Sequence, residues 1–188
     1  MKDIIQNEFN EHIKTANLLH TLTDGVANSA QLCINCLKND GKILIFGNGG
    51  SASDAQHIAA ELVGRYKVNR KGLPVIALTT DSSALTSIAN DFGYDSVFER
   101  QVEALANKGD VVIGISTSGK SNNVNNALKM ASKLECKTIG FSGETGAVMN
   151  KICDITLAVP SKDTPRIQEI HIIIGHTICH LIDLKFKN

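Results

Sequence analysis

His57 and Glu61 stand four residues apart, so on a helix they share one face. An imidazole and a carboxylate in that relation can move protons or hold a metal ion, and their position decides between this and an ordinary surface pair. Immediately ahead of them lies Gly47-Asn48-Gly49-Gly50-Ser51-Ala52-Ser53, and ahead of that the apolar run at 43–46. A buried strand that ends in a glycine and serine turn and opens into a helix gathers free backbone N–H groups, hydroxyls and the positive helix end at one point, which suits a phosphate. The helix is predicted to begin near Ala52, which puts His57 and Glu61 about one turn in from that anion site. Asp54 reads as a first-turn or capping residue at the same helix end, and Arg65 and Lys67 as solvent-exposed.

A second loop is richer still in hydroxyls. Ser116-Thr117-Ser118-Gly119-Lys120-Ser121-Asn122-Asn123 follows an apolar run at 111–115 and leads into another helical pattern. Ser116, Ser118 and Ser121, with Thr117 and the free N–H groups, form a neutral cradle for a phosphate dianion. Neither loop carries G-x-G-x-x-G or the complete G-x-x-x-x-G-K-[ST] pattern, which ranks a sugar phosphate above nicotinamide cofactors and nucleoside triphosphates. Two further strand ends, Thr79-Thr80-Asp81-Ser82-Ser83 and Ser142-Gly143-Glu144-Thr145-Gly146, belong to the same edge of an open parallel sheet. In the last helical stretch, Gln168 and His176 are two turns apart on nearly one face. Polar groups on so apolar a helix need a reason for burial, either a site or a satisfied hydrogen-bond network. Glu169, His171 and His180 project at other angles and are expected on exposed or interface faces.

The elements that must position these groups follow from periodicity. Helical patterns cover 3–22 and 25–38, and short apolar strands at 42–46, 75–79, 111–115, 137–141 and 155–159 alternate with longer helical patterns. Nearly continuous apolar strands imply a sheet covered on both faces, so the chain is predicted as a three-layer α/β sandwich around a five-stranded parallel sheet. A last helix over 165–184 repeats Ile167, Ile170, Ile174, Ile178 and Leu181 or Ile182. The apolar surface of the long terminal helices is large for one small domain, which predicts a homo-oligomer.

At 188 residues, 43% hydrophobic and 20% charged, the chain suits one domain, with a helical extension at about 1–40 and an α/β core at about 41–188. Its 19 basic and 19 acidic residues cancel, and Lys67, Arg70 and Lys71 make only a small basic cluster, so a nucleic-acid partner is not expected. Asp3, Glu8 and Glu11 stand where a signal peptide would be apolar, and no uncharged stretch approaches a bilayer span. The expectation is a cytoplasmic protein with no membrane partner. Five cysteines do not make a disulfide framework, and Cys33-Ile34-Asn35-Cys36 lies inside the apolar pattern Val26, Ala30, Cys33, Leu37, where packing explains it.

Several extended strings carry a specific resemblance. Gly47-Asn48-Gly49-Gly50-Ser51, Asp54-Ala55-Gln56-His57, Ala59-Ala60-Glu61-Leu62, Gly64-Arg65, Thr79-Thr80-Asp81-Ser82-Ser83, Asn90-Asp91-Phe92-Gly93-Tyr94, Ile115-Ser116-Thr117-Ser118-Gly119 and Arg166-Ile167-Gln168-Glu169, with His171 and His176, stand in the order found in the bacterial phosphoheptose isomerases of the sugar isomerase (SIS) domain superfamily. The sequence resembles that family over nearly its whole length. The resemblance implies a flavodoxin-like SIS fold and conversion of sedoheptulose 7-phosphate to D-glycero-D-manno-heptose 7-phosphate, toward ADP-heptose and lipopolysaccharide. It also implies a cytoplasmic homotetramer with active sites at subunit boundaries, and one zinc per subunit held by His57, Glu61, Gln168 and His176. Substrate contacts carried over by similarity are Asn48, Gly49, Gly50, Glu61, Asn90, Asp91, Ser116, Thr117, Ser118, Ser121 and Gln168. For the enediol chemistry, Glu61 is the choice for the carbon base and His176 for proton transfer at the oxygens, with the reverse assignment open. Gln168 is an uncommon zinc ligand and points to a labile or catalytic ion. The competing class is a non-catalytic SIS protein that binds a phosphosugar or a protein partner, and a second enzyme reading is isomerisation of a shorter or longer ketose phosphate.

Overall fold

The computed structural model describes residues 1–146 and 148–187. Helices α1 (Lys2–Ala16) and α2 (Thr23–Lys38) flank a 3-10 turn at Leu19–Leu22. The alternation then runs β1 (Ile43–Gly47), α3 (Gly50–Val63), β2 (Val75–Ala77), α4 (Ser82–Phe92), α5 (Glu99–Leu105), β3 (Val111–Ile115), α6 (Asn122–Lys133), β4 (Lys137–Ser142), α7 (Met149–Ile152), β5 (Ile155–Ala158) and α8 (Thr164–Phe186). The first helix stops short of the expected Leu22. The Thr21 and Thr23 hydroxyls donate to the carbonyls of Leu18 and His20, competing with the backbone for acceptors, and the chain tightens into the 3-10 turn. Strand β2 ends two residues early because the Thr80 hydroxyl returns to the Ala77 carbonyl at 3.0 Å and turns the chain.

The five strands are all parallel, in the order β2-β1-β3-β4-β5, with Ile43 beside both Val75 and Val111. The winding reverses between β1 and β3, so the loops that follow these two strands open side by side, where open α/β sheets take their ligands. Alternation along the strands feeds two cores. Ile43, Ile45, Ile113, Ile139 and Phe141 pack against Leu37, Ile58, Leu62, Ile174 and Ile178 of α2, α3 and α8. Leu44, Phe46 and Val112 pack on the other face against Phe98, Val102, Val124, Leu128 and Met149.

The α3 and α8 helices meet closely at Gly175, where a Cβ would lie 2.5 Å from the Ile58 side chain. The missing side chain lets the helices approach far enough for residues one position away, His57 and His176, to face each other. All five cysteines are free, and burial pushes the Cys36 thiol up to about 11 and Cys179 up to about 12. The C-x-x-C spacing is therefore core packing with unreactive thiols. Among the described residues, no helix is long and apolar enough to cross a membrane.

Candidate active site

The first loop starts its helix earlier than expected. Gly49 adopts φ +57°, a left-handed conformation natural to glycine, and α3 begins at Gly50, two residues ahead of Ala52. Asp54 consequently lies past the first turn and makes no cap; its Oδ2 is buried without a partner among the described residues, and burial raises its pKa against the opposing pull of His57. The two ligand loops are tied together through Asn48. Its amide pairs both ways with the Asn123 amide, each bond 2.9 Å, and its Oδ1 also accepts the Tyr94 hydroxyl at 3.2 Å. Asn48 thus spends most of its hydrogen-bonding capacity on holding the loops in register.

In the second loop the three serines converge. Ser116 Oγ lies 2.9 Å from Ser121 Oγ and 3.4 Å from Ser118 Oγ, with Ser116 buried and Ser118 exposed. Ser121 is the N-cap residue of α6, yet its hydroxyl makes no capping bond and faces Ser116 instead. Hydroxyls that satisfy one another beside a helix N-terminus are free to turn toward an anion. Asn90 and Asp91 are exposed at the end of α4 and bond each other at 2.8 Å.

Three of the four proposed metal ligands come together. His57 Nε2 is 2.9 Å from His176 Nε2 and 3.3 Å from Glu61 Oε1, and the three donor atoms lie within 4.8 Å of one another. Two imidazole nitrogens so close need a proton or a cation between them. Tetrahedral zinc with bonds of about 2.0–2.1 Å separates its ligand atoms by roughly 3.3 Å, so the cluster fits such an ion with little rearrangement. Gln168 lies on the same α3–α8 seam, with its amide beside Gly50, where a Cβ would lie 3.0 Å from its Cδ. That position is seven residues ahead of His57, about 10 Å along the helix axis, and lies beside the first ligand loop.

The SIS domain family matches residues 8–143. A phosphoheptose isomerase from Aliarcobacter butzleri is 61% identical over all of both chains. The chain belongs to the phosphoheptose isomerase family. Among solved structures, the phosphoheptose isomerase from Neisseria gonorrhoeae superposes with a TM-score of 0.92 at 44% identity, covering 97% of this chain and 98% of that one. The one from Francisella tularensis gives 0.93 at 37% identity, covering 97% of each.

Within this phosphoheptose isomerase fold, several residues occupy places that helical periodicity did not indicate. His171 is fully buried, with Nε2 on the Ser142 carbonyl, because its face of α8 packs over the end of β4. Glu169 is half-buried and joins α8 to α1, accepting Arg166 at 2.6 Å and lying 2.8 Å from His12 Nδ1. Arg70 is no part of a surface basic cluster: its side chain is 0% exposed and its Nε donates to Asp183 at 2.6 Å. Tyr66, which no helical period marks, stacks its ring on His176 with centroids 5.3 Å apart. The signal that points to it is its place just past the end of α3, where the chain must turn back toward α8. Arg65 and Lys67 are exposed as expected.

Proposed function

We propose that this member of the phosphoheptose isomerase family converts sedoheptulose 7-phosphate to D-glycero-D-manno-heptose 7-phosphate through an enediolate, as a step toward ADP-heptose and lipopolysaccharide, with Glu61 and His176 as its proton carriers. The observations that support the reading are the His57, Glu61 and His176 cluster between α3 and α8 and the convergent serines of the loop after β3. The substrate phosphate rests on Ser116, Thr117, Ser118 and Ser121 and on the turn at Gly49 and Gly50. Binding energy from that remote end holds the reacting carbons in place. Asn90, Asp91 and Gln168 line the path for the sugar hydroxyls.

Exchange of a ketose and an aldose requires a base at the C1 proton and an acid at the oxygens. Glu61 takes the C1 proton and returns one to C2, while His176, stacked on the Tyr66 ring, moves the proton from O1 to O2 through the ring nitrogen that does not face His57. We assign the metal as zinc, one per subunit, held by His57, Glu61 and His176, with Gln168 as the fourth candidate. Zinc in that place supplies Lewis-acid polarisation of the carbonyl. Glu61 has two oxygens, so the one not facing His57 is left for the proton.

The whole chain acts as one SIS domain, and we propose a cytoplasmic homotetramer with active sites at subunit boundaries. Exposed Ile4, Ile5, Phe9 and Ile13 on α1, and the apolar groove of Leu22, Val26, Ile173 and Leu181 beside α8, support association. The five free cysteines suit a reducing compartment. The His57, Glu61 and His176 cluster weighs against a purely binding SIS protein, which needs the serine loop alone.

Purified protein is expected to form aldose phosphate from sedoheptulose 7-phosphate, followed by NMR. Chelation is expected to lower turnover by about tenfold or more, with recovery on added zinc, given the several kcal/mol that Lewis-acid catalysis supplies. Full turnover with zinc verified as absent would remove the metal from the chemistry. No turnover in either state would move the reading to another phosphosugar or to the binding protein.

A further inference from the structure

The peptide between Ser142 and Gly143, at the end of β4, is held from both sides. Its carbonyl accepts the Val159 N–H at 2.9 Å and lies 3.2 Å from His171 Nε2, while its own N–H donates to the Thr117 carbonyl at 2.9 Å. Thr117 is the middle residue of the serine cradle. A carbonyl can only accept, so His171 carries its proton on Nε2 and leaves Nδ1 as a lone pair, and that atom is buried without a partner among the described residues. The ring is 0% exposed, 5.7 Å from the Phe141 ring, and burial pushes its pKa down to about 4, so it is neutral at pH 7.

A buried imidazole with one unsatisfied nitrogen is a poor choice for stability alone, since an apolar side chain would fill the same space without that cost. What the imidazole adds is one directed N–H. Gly143 shows how closely the joint is fitted: a Cβ there would lie 2.7 Å from the Thr117 oxygen and 2.7 Å from Ile167 Cδ1. Hydrogen bonds in line polarise one another, so a donor on the Ser142 carbonyl strengthens the Gly143 N–H as a donor to Thr117.

We propose that His171 is a positioning residue for the phosphate cradle, acting through the Ser142–Gly143 peptide to fix the Thr117 carbonyl and so the aim of the Ser116 to Ser118 backbone. This rests on the reading of that loop as the phosphate site. The chain from imidazole to peptide to cradle makes phosphate affinity, and not proton transfer, the quantity that His171 controls.

The test measures inorganic phosphate affinity by calorimetry, and KM and kcat for the phosphosugar, on the full zinc-loaded chain and four variants. His171→Leu removes the donor at similar volume. In His171→Gln the amide nitrogen takes the place of Nε2 and restores it. Gly143→Ala disturbs the same peptide without touching His171, and Ser118→Ala tests the cradle itself. His171→Leu is expected to raise the phosphate Kd and KM about tenfold with kcat within about twofold, the worth of one well-placed hydrogen bond. His171→Gln is expected to return most of that loss, and Gly143→Ala to move KM in the same direction as His171→Leu.

Ser118→Ala with unchanged phosphate affinity would sink the cradle reading. Weakened phosphate in Ser118→Ala but not in His171→Leu would overturn the role of His171 alone. A fall in kcat at constant KM in His171→Leu would also overturn it, because that is the signature of fewer folded molecules. If His171→Leu does not fold, His171→Asn, whose shorter amide falls short of the Ser142 carbonyl, replaces it in the comparison with His171→Gln. A higher KM in the Asn variant supports the proposal and equal values overturn it.

Discussion

Glu61→Gln is expected to lower kcat by about 10²- to 10⁴-fold while leaving substrate binding within a few-fold of the parent, the range that loss of a positioned general base produces. Glutamine keeps the length and one oxygen of the carboxylate but cannot accept the carbon proton at neutral pH. The readout that isolates this step is exchange of the C1 proton with solvent deuterium, which should vanish together with turnover. Because Glu61 Oε1 also lies 3.3 Å from His57 Nε2, the variant is expected to hold zinc less tightly as well, so metal content must be measured beside activity. His57→Ala separates the two effects. It removes a ligand and spares the base, so exchange at C1 should fall less than in Glu61→Gln when both are assayed with excess zinc. Turnover of Glu61→Gln within tenfold of the parent would end the assignment of Glu61 as the base.

The legible part of this site was local. The i,i+4 relation of His57 and Glu61, the glycine turn before them and the three serines after β3 are properties of short segments, and local segments set their own strand, turn and helix geometry. The parallel sheet was legible for the same reason, since each strand is apolar on both faces. What periodicity left open was set by contacts between elements distant in sequence. His171 sits among isoleucines whose spacing marks the buried stripe, but its burial is decided by packing against Phe141 and the Ser142 carbonyl of β4. Arg70 and Asp183 are 113 residues apart, so no local pattern pairs them, and Arg70 reads alone as part of a small basic cluster. Gln168 shares a helical face with His176, but which neighbouring element its amide meets, here Gly50 at the start of α3, is set by how α8 packs on α3. Tyr66 lies in the irregular segment after α3, where no period exists to assign it a direction. The resemblance to a known family reached Gln168 and His176 because it carries tertiary information that one sequence does not display.

Asp183→Asn is expected to destabilise the fold by about 3–5 kcal/mol, the usual cost of breaking a buried ion pair from one side. For a chain of this size that corresponds to a fall in Tm of roughly 6–20 °C, read by calorimetry. Asp183 and Arg70 side chains are both 0% exposed, and the pair is the hub of a wider network. Arg70 donates to the carbonyls of Glu61 and Leu62, closing the end of α3 where no intrahelical partner exists, while Asp183 Oδ2 accepts the N–H groups of Lys67 and Val68. One arm therefore fixes the backbone of the candidate base and the other fixes the segment that lays Tyr66 over His176. Burial by itself would raise the pKa of Asp183, but the Lys67 N–H, the Arg70 guanidinium and the Val68 N–H outweigh it and hold the carboxyl below its ordinary value. A depressed carboxylate contributes stability that is fully present above its unfolded pKa of about 3.9 and is lost as pH falls through the lower folded value. The gap in Tm between parent and Asp183→Asn should accordingly hold through neutral pH and narrow only below about pH 4. The paired replacement Arg70→Met with Asp183→Leu separates stability from function. Apolar packing recovers part of the lost stability, since no charge is left buried alone. The anchors on Glu61, Lys67 and Val68 are not recovered, so kcat should stay depressed even where Tm returns. A double variant with parental kcat would reduce this network to a stabilising pair with no hold on the active site.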